Sequence, residues 1–405
     1  MKSIPFFLVI FLFIIACDKD VPVKPNVPDI NVQHKSLVES SNSFGLELMK
    51  AVHQEEEANK NIIISPLSVS TALSMLLNGT KENTKSQIFD ALQVSNQDLE
   101  ANNQIYRDLI DFLPNVDPLV ETSIANSIWY EQSFQVLAEF LEVNQTYFDA
   151  EVQGLDFGNP TAKDIINNWV ANATNQKIES ILEEINADHV MFLINAVYFN
   201  APWKKTFKEE LTSNWDFNLL NGTSTSVEMM YTTDIKFGYF QNEQVELINL
   251  PYGKENYHYT ILLPKENFNV NQLVENFTMQ QWNEWKSGLS KEHSLELRMP
   301  KFELDYEIKL NDALKSLGMQ DAFSESMADL SGINNQGQLY VSEVKHKTYM
   351  RVDEAGTEAA AATSIGIGPT SFSPGVLVDK PFLLIIHEQK TNAILFMGKI
   401  MNPVE

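Results

Sequence analysis

Seven histidines, one cysteine and 54 acidic side chains are the groups from which this 405-residue chain could assemble chemistry. Their spacing assembles none. The histidines lack metal-ligand spacing. The chain contains no H-E-x-x-H, no G-x-S-x-G, no G-x-G-x-x-G and no Walker A run. Gly332 and Gly337 stand at the separation of a phosphate loop, but Gln338 replaces the lysine that would reach the phosphates. Carboxylates are so numerous that an acid pair could be picked anywhere, so picking one says nothing. No local context makes a nucleophile of any serine. The sequence therefore supports no enzyme, and it calls for no metal and no cofactor.

Charge narrows the partners. With 29 Lys+Arg against 54 Asp+Glu the net charge is −25, and no basic cluster is dense enough to displace counterions from nucleic acid. Such acidity favours solubility and self-repulsion between copies, in keeping with a monomer. The single cysteine excludes an internal disulfide framework.

That cysteine has a telling place. Residues 1–16 carry Lys2, then an apolar run too short to span a bilayer, and Cys17 follows Ala16 directly. The pattern resembles a bacterial lipoprotein signal, which implies lipidation of Cys17. Residues 17–36, with Pro22, Pro25 and Pro28, then form an extended tether, and residues 37–405 form one body. Membrane contact is expected only through the lipid. The expected location is the cell envelope, on the periplasmic or cell-surface side of the outer membrane.

The body is read as one α+β domain, helix-rich first and strand-rich later. Ser65-Pro66 opens a helix that runs through Leu73 and Leu76 to Gly79. Thr84 with Gln87 reads as a capping box. Asn159-Pro160 starts a helix with Ile165, Trp169 and Ala173 along one face. Met191 to Phe199, with Asn195 at its middle, reads as a strand buried on both faces. Tyr257–Leu263, Leu295–Met299, Leu339–Val344, Phe382–Ile386 and Ala393–Met397 are also strand-like, and Ile308–Leu317 reads as a helix stopped by Gly318.

One segment fits neither pattern. Residues 353–380 have no core-forming periodicity and lie between strands, so an exposed loop is expected. Small residues nevertheless alternate along it. Thr357, Ala359, Ala361, Thr363 and Ile365 would face inward from a strand, with Glu358, Ala360, Ala362 and Ser364 outward. It is a loop that could become a strand.

The decamer Glu354-Ala355-Gly356-Thr357-Glu358-Ala359-Ala360-Ala361-Ala362-Thr363 resembles the hinge of the serpin family of protease inhibitors. Asn61 to Ser68, Asn195 to Phe199 with Trp203, Leu339 to Lys347, Lys380-Pro381-Phe382, Leu395 to Lys399 and Asn402-Pro403 resemble other family segments in the same order. Arg351 departs from the glutamate many members carry there. The resemblance implies large mixed sheets flanked by about eight or nine helices, with an exposed reactive-centre loop. It implies irreversible inhibition of serine endopeptidases, the cleaved loop entering the main sheet while the protease is held as an acyl-enzyme.

By family spacing the reactive bond is Thr370-Ser371, with Ile367, Gly368, Pro369 and Phe372 meeting the protease. No Lys or Arg lies between Val352 and Asp379, so elastase-like or subtilisin-like enzymes fit, and Phe372 offers a second bond to chymotrypsin-like ones. Ser65, Ser68, Asn195 and His346 match the polar cluster at which the sheet opens, and Trp203 matches the upper opening. The same residues could simply be satisfied buried polar groups. The competing reading is a non-inhibitory binding lipoprotein on the same fold.

Overall fold

Ser65 is extended, its hydroxyl accepts the Ser68 N–H at 3.3 Å, and Pro66 takes the first position of the helix Pro66–Leu77. This helix, buried nearly all round, runs through the core of a computed structural model that describes residues 29–94, 98–133, 135–186, 189–293, 296–336, 339–357 and 375–404. Residues 1–16, read from the sequence as a signal, and Cys17 lie outside the described residues. The first helix, Val32–Glu55, begins inside the stretch assigned to the tether, because Asn31 caps it by accepting the Gln33 and His34 N–H groups. Among the described residues there are nine α-helices and three sheets of seven, six and four strands, an α+β arrangement.

The six-stranded main sheet has the order Phe302–Lys309, Lys345–Val352, Gly356–Thr357, Met191–Pro202, Glu121–Glu131, Glu151–Leu155. Met191–Pro202 has apolar residues on both faces because it is covered on both. Phe192, Ile194 and Ala196 pack into a separate apolar cluster with the helix Thr161–Ala173, whereas Phe199 and Ala201 join the large core.

Several local readings change. The helix Glu82–Ala91 is not opened by Thr84 and Gln87 but starts after Lys81. Thr84 Oγ1 instead accepts the Asp329 N–H at 2.9 Å and Gln87 Oε1 accepts that of Asp321 at 2.8 Å, so both tie the helix to a distant loop. On Thr161–Ala173 the buried face is Ala162, Ile166 and Val170, one residue out of step with the expected one, and Ile165 is 39% exposed. Ile308 belongs to a strand, and the helix behind it is only Asn311–Ser316. Leu339–Val344 is not a strand; pairing starts at Lys345. Segment 353–380 is not wholly an exposed loop, since both of its described ends are built into sheets.

Candidate functional site

The near end of that segment is wedged into the main sheet. Gly356 and Thr357 pair antiparallel with Pro202 and Ala201 on one side, and Thr357 pairs with Val352 on the other. Both flanking strands are antiparallel to the wedge and hence parallel to each other. Among the described residues they do not pair with each other, and within the sheet the wedge is what bridges them. A Cβ on Gly356 would lie 2.1 Å from the Ala201 carbonyl oxygen and 2.7 Å from Pro202 Cα, so only glycine fits this close approach.

Several side chains hold the wedge. Trp203 donates its backbone N–H to the Ala355 carbonyl at 2.9 Å and its indole N–H to that of Asp353 at 2.8 Å. The Trp203 ring stacks on Tyr252 at 4.6 Å, and the Tyr252 hydroxyl meets the Thr357 hydroxyl. Glu354 is buried, accepting from the Thr212 hydroxyl at 2.6 Å and lying 3.6 Å from the Lys301 ammonium. The Phe207 N–H adds a bond to the Glu354 carbonyl at 2.9 Å. Asp353 Oδ1 accepts the Ala355 and Gly356 N–H groups and its other oxygen lies 2.9 Å from Arg351, but burial still holds its carboxyl above the usual range. Arg351, where the sequence departs from the family, thus anchors the turn into the wedge.

Lower down, a polar chain crosses from one flanking strand to the other beneath the sheet. His346 Nε2 accepts the Ser65 N–H at 3.0 Å, Ser68 binds the Ser65 hydroxyl through its N–H, and the Ser68 hydroxyl donates to Asn195 Oδ1. Asn195 donates to Asn126 Oδ1, and Asn126 to the Phe148 carbonyl at 2.7 Å. Burial lowers the His346 pKa to about 4, so the ring is neutral at pH 7 and free to accept. The helix Pro66–Leu77 supplies the middle of the chain, which makes it the clasp between two strands that do not pair with each other.

The sequence-derived residues Ser65, Ser68, Asn195 and His346 therefore meet in one network, and Trp203, Glu354, Gly356 and Thr357 meet in another. Glu358, Ala359, Ala360, Ala361, Ala362, Thr363, Ile367, Gly368, Pro369, Thr370, Ser371 and Phe372 lie outside the described residues. At the far end, Val376–Leu377 pair parallel with Leu297–Arg298. Sequence reading missed Asn126, Tyr252, Thr212 and Lys301. Asn126 alone carried a signal: like Asn195, it is an amide inside an apolar strand.

A model of the serpin family, described as serine protease inhibitors, matches residues 39–403. Iripin-2 of Ixodes ricinus is 36% identical over 379 residues, spanning 91% of this chain and 94% of its own. The native structure of tengpin, a thermophilic serpin, is 33% identical with a TM-score of 0.80, covering 94% of this chain and 97% of its own. Human thyroxine-binding globulin complexed with thyroxine is 27% identical with a TM-score of 0.83, covering 92% of this chain and 100% of its own. Wedge, clasp and sheet order stand on a chain that matches the family from end to end of its body, and the chain belongs to the serpin family, whose members are typically protease inhibitors.

Proposed function

We propose that the chain is an irreversible inhibitor of serine endopeptidases. A protease attacks Thr370-Ser371 as it would a substrate, and the cut loop enters the main sheet between Lys345–Val352 and Met191–Pro202 before the acyl-enzyme is hydrolysed. The observation that carries this reading is the wedge: two parallel strands, bridged within the sheet among the described residues by Gly356 and Thr357, leave a third strand to be completed between them.

The register supports it. His346 is six residues before Val352 and Asn195 six before Ala201, so continuing the pairing of Thr357 brings Thr363 level with both. Ala359 and Ala361 share that inward face and are small enough to slide over the helix beneath, and Thr363 would bring a hydroxyl to the polar clasp. Inserting about a dozen residues forms roughly ten to twenty ladder bonds, each worth ~0.5–1.5 kcal/mol net. The sum, on the order of 10 kcal/mol, matches the whole stability of a typical protease domain at ~5–15 kcal/mol. That is enough to deform the trapped enzyme.

Elastase-like or subtilisin-like targets fit a loop without Lys or Arg, with Phe372-Ser373 as a second bond for chymotrypsin-like enzymes. Lipidation of Cys17 would hold the inhibitor at the cell envelope; among the described residues no helix is long and apolar enough to cross a membrane. The test is incubation with an elastase followed by denaturing gel and mass spectrometry. An SDS-stable complex that is lost in Thr357→Arg, with release of a fragment beginning at Ser371, is expected. Clean cleavage without a complex would refute inhibition and favour the non-inhibitory binding lipoprotein.

A further inference from the structure

A cavity of about 380 Å³, lined by the strands Phe237–Gln241 and Val245–Pro251 and the helix Met279–Ser287, carries one amine unlike its neighbours. Two of its lysines are engaged: Lys204 pairs with Glu255, and Lys236 has a partner as well. Lys286 is half-buried and, among the described residues, meets no carboxylate at ion-pair distance. Its ammonium lies 2.5 Å from Asn392 Oδ1, 3.4 Å from His387 Nδ1 and 5.8 Å from the centre of the Trp282 ring. Thr260 donates its hydroxyl proton to Asn249 Oδ1 at 2.7 Å, so its oxygen accepts the His387 Nε2–H at 3.2 Å. The Nδ1 lone pair is left facing Lys286. Burial holds His387 neutral, and His258, stacked on it at 5.6 Å, is lowered to about 4. Glu388 acts on Lys286 only from farther off, its oxygens taken by the Lys390 and Thr391 N–H groups and the Thr391 hydroxyl. A neutral amine suits this setting: two hydrogens meet the two acceptors and a lone pair remains. Burial accordingly lowers Lys286 to about 8. Lys399 is also held at about 8, but it is fully buried, 3.1 Å from both His53 Nδ1 and the Ala58 carbonyl. What sets Lys286 apart is the cavity.

We propose that Lys286 is a covalent modification site, an amine that condenses with small aromatic aldehydes entering this cavity. Phe237, Leu289 and the His258 ring also line it and suit a flat apolar body. The Nζ lone pair attacks the carbonyl carbon, and a C–N bond forms as the C=O pair moves to oxygen. That oxygen then leaves as water with the two amine hydrogens, which gives an imine.

The test treats the full chain with limiting benzaldehyde and cyanoborohydride, which fixes imines as benzylamines, and maps the labelled lysines by peptide mass spectrometry. At pH 7.5 about a quarter of an amine titrating at about 8 is unprotonated, against roughly one in a thousand at the ordinary 10.5. Lys286 is therefore expected to label at least about tenfold faster than the median lysine at pH 7.5, and that ratio to fall at least about tenfold by pH 9.5. Lys399 is expected to stay unlabelled until urea unfolds the chain. Labelling of Lys286 no faster than the median, a ratio unchanged between the two pH values, or Lys399 labelled as fast as Lys286 in the folded chain would overturn the proposal. No protease enters the labelling, so its result is separate from whether the chain inhibits one.

Discussion

Replacing Gly356 by alanine tests the wedge at its tightest point. The added Cβ would sit 2.1 Å from the Ala201 oxygen, so about 1 Å of displacement is needed to reach the 3.0–3.4 Å that real contacts reach only under compression. Ala201 cannot retreat cheaply, since its strand is laddered to Glu121–Glu131 over ten residue pairs, from Glu121–Asn200 to Tyr130–Met191. The two-residue wedge has far less to lose, and it leaves the sheet. With it go the Gly356 and Thr357 pairings, the Asp353 N–H bond to the Gly356 carbonyl and the Tyr252–Thr357 contact. Three or four bonds at ~0.5–1 kcal/mol net each amount to about 2–4 kcal/mol. For a body this large, at roughly 1–2 °C per kcal/mol, the intact protein should melt about 2–8 °C lower. Insertion must pass the same point, so the variant should be cleaved by an elastase and form little stable complex. Differential scanning calorimetry and a titration of inhibitor per enzyme read the two effects. Gly375→Ala is the control: its Cβ would meet the Glu296 oxygen at 2.5 Å, at the far end of the loop where nothing is inserted, so complex formation should survive. Were Gly356→Ala to melt with the parent and inhibit with the same stoichiometry, the argument from close packing would be wrong.

His346 makes stability depend on pH: its folded pKa of about 4 lies below the ordinary 6.5, so the stabilisation is fully present above pH 6.5 and is lost as pH falls from there to about 4, on the order of 3 kcal/mol in all. His258, also at about 4, and His387, held well below its ordinary value, act with the same sign, so His346→Gln should flatten the urea-unfolding slope between pH 7 and 4.5 only in part; an unaltered slope would refute the assignment. Asn195→Ala removes the partner of both Ser68 and Asn126 and should cost about 1–3 kcal/mol in denaturant unfolding, an effect absent only if the clasp bears no load. Thr363→Val should leave the melting of the intact protein unchanged and lower that of the nicked protein by the equivalent of about 1 kcal/mol; equal melting of both nicked forms would contradict the register.

Much of this was legible before any coordinates. Ser65-Pro66 carries its own helix-start chemistry, and the run around Asn195 reads as a strand covered twice, because local propensity and tertiary packing agree there. Legibility failed where a distant partner decides. Thr84 and Gln87 have the spacing of a capping box, but two loop amides more than two hundred residues away take their acceptors. Leu339–Val344 has strand composition, but its backbone bonds go to Ala322, Leu310 and Asn311 rather than to a strand, and among the described residues pairing begins at Lys345. Tyr252 and Lys301 could not be found from local pattern at all, because their role exists only once Glu354 and Thr357 are folded against them.

On the proposed mechanism the two networks divide the labour of a sheet that stays shut and then opens. Hinge residues at the top are fixed by backbone geometry: a glycine with no room for a methyl and carbonyls bonded to Trp203 and Phe207. These contacts fix the register from which any further pairing must continue, so the strand can grow only downward and in one phase. Six residues down, the two flanking strands are held through side chains of their own, His346 and Asn195, bonded to the Ser65 N–H and the Ser68 hydroxyl at the start of a helix that lies beneath both. Side-chain bonds of this kind can exchange partners without breaking a ladder, and a threonine arriving at that level brings both a donor and an acceptor. A zipper seeded at one end by backbone and latched midway by exchangeable hydroxyls and amides needs its inward residues small and its mid-level residue polar. Ala359 and Ala361 followed by Thr363 meet both requirements.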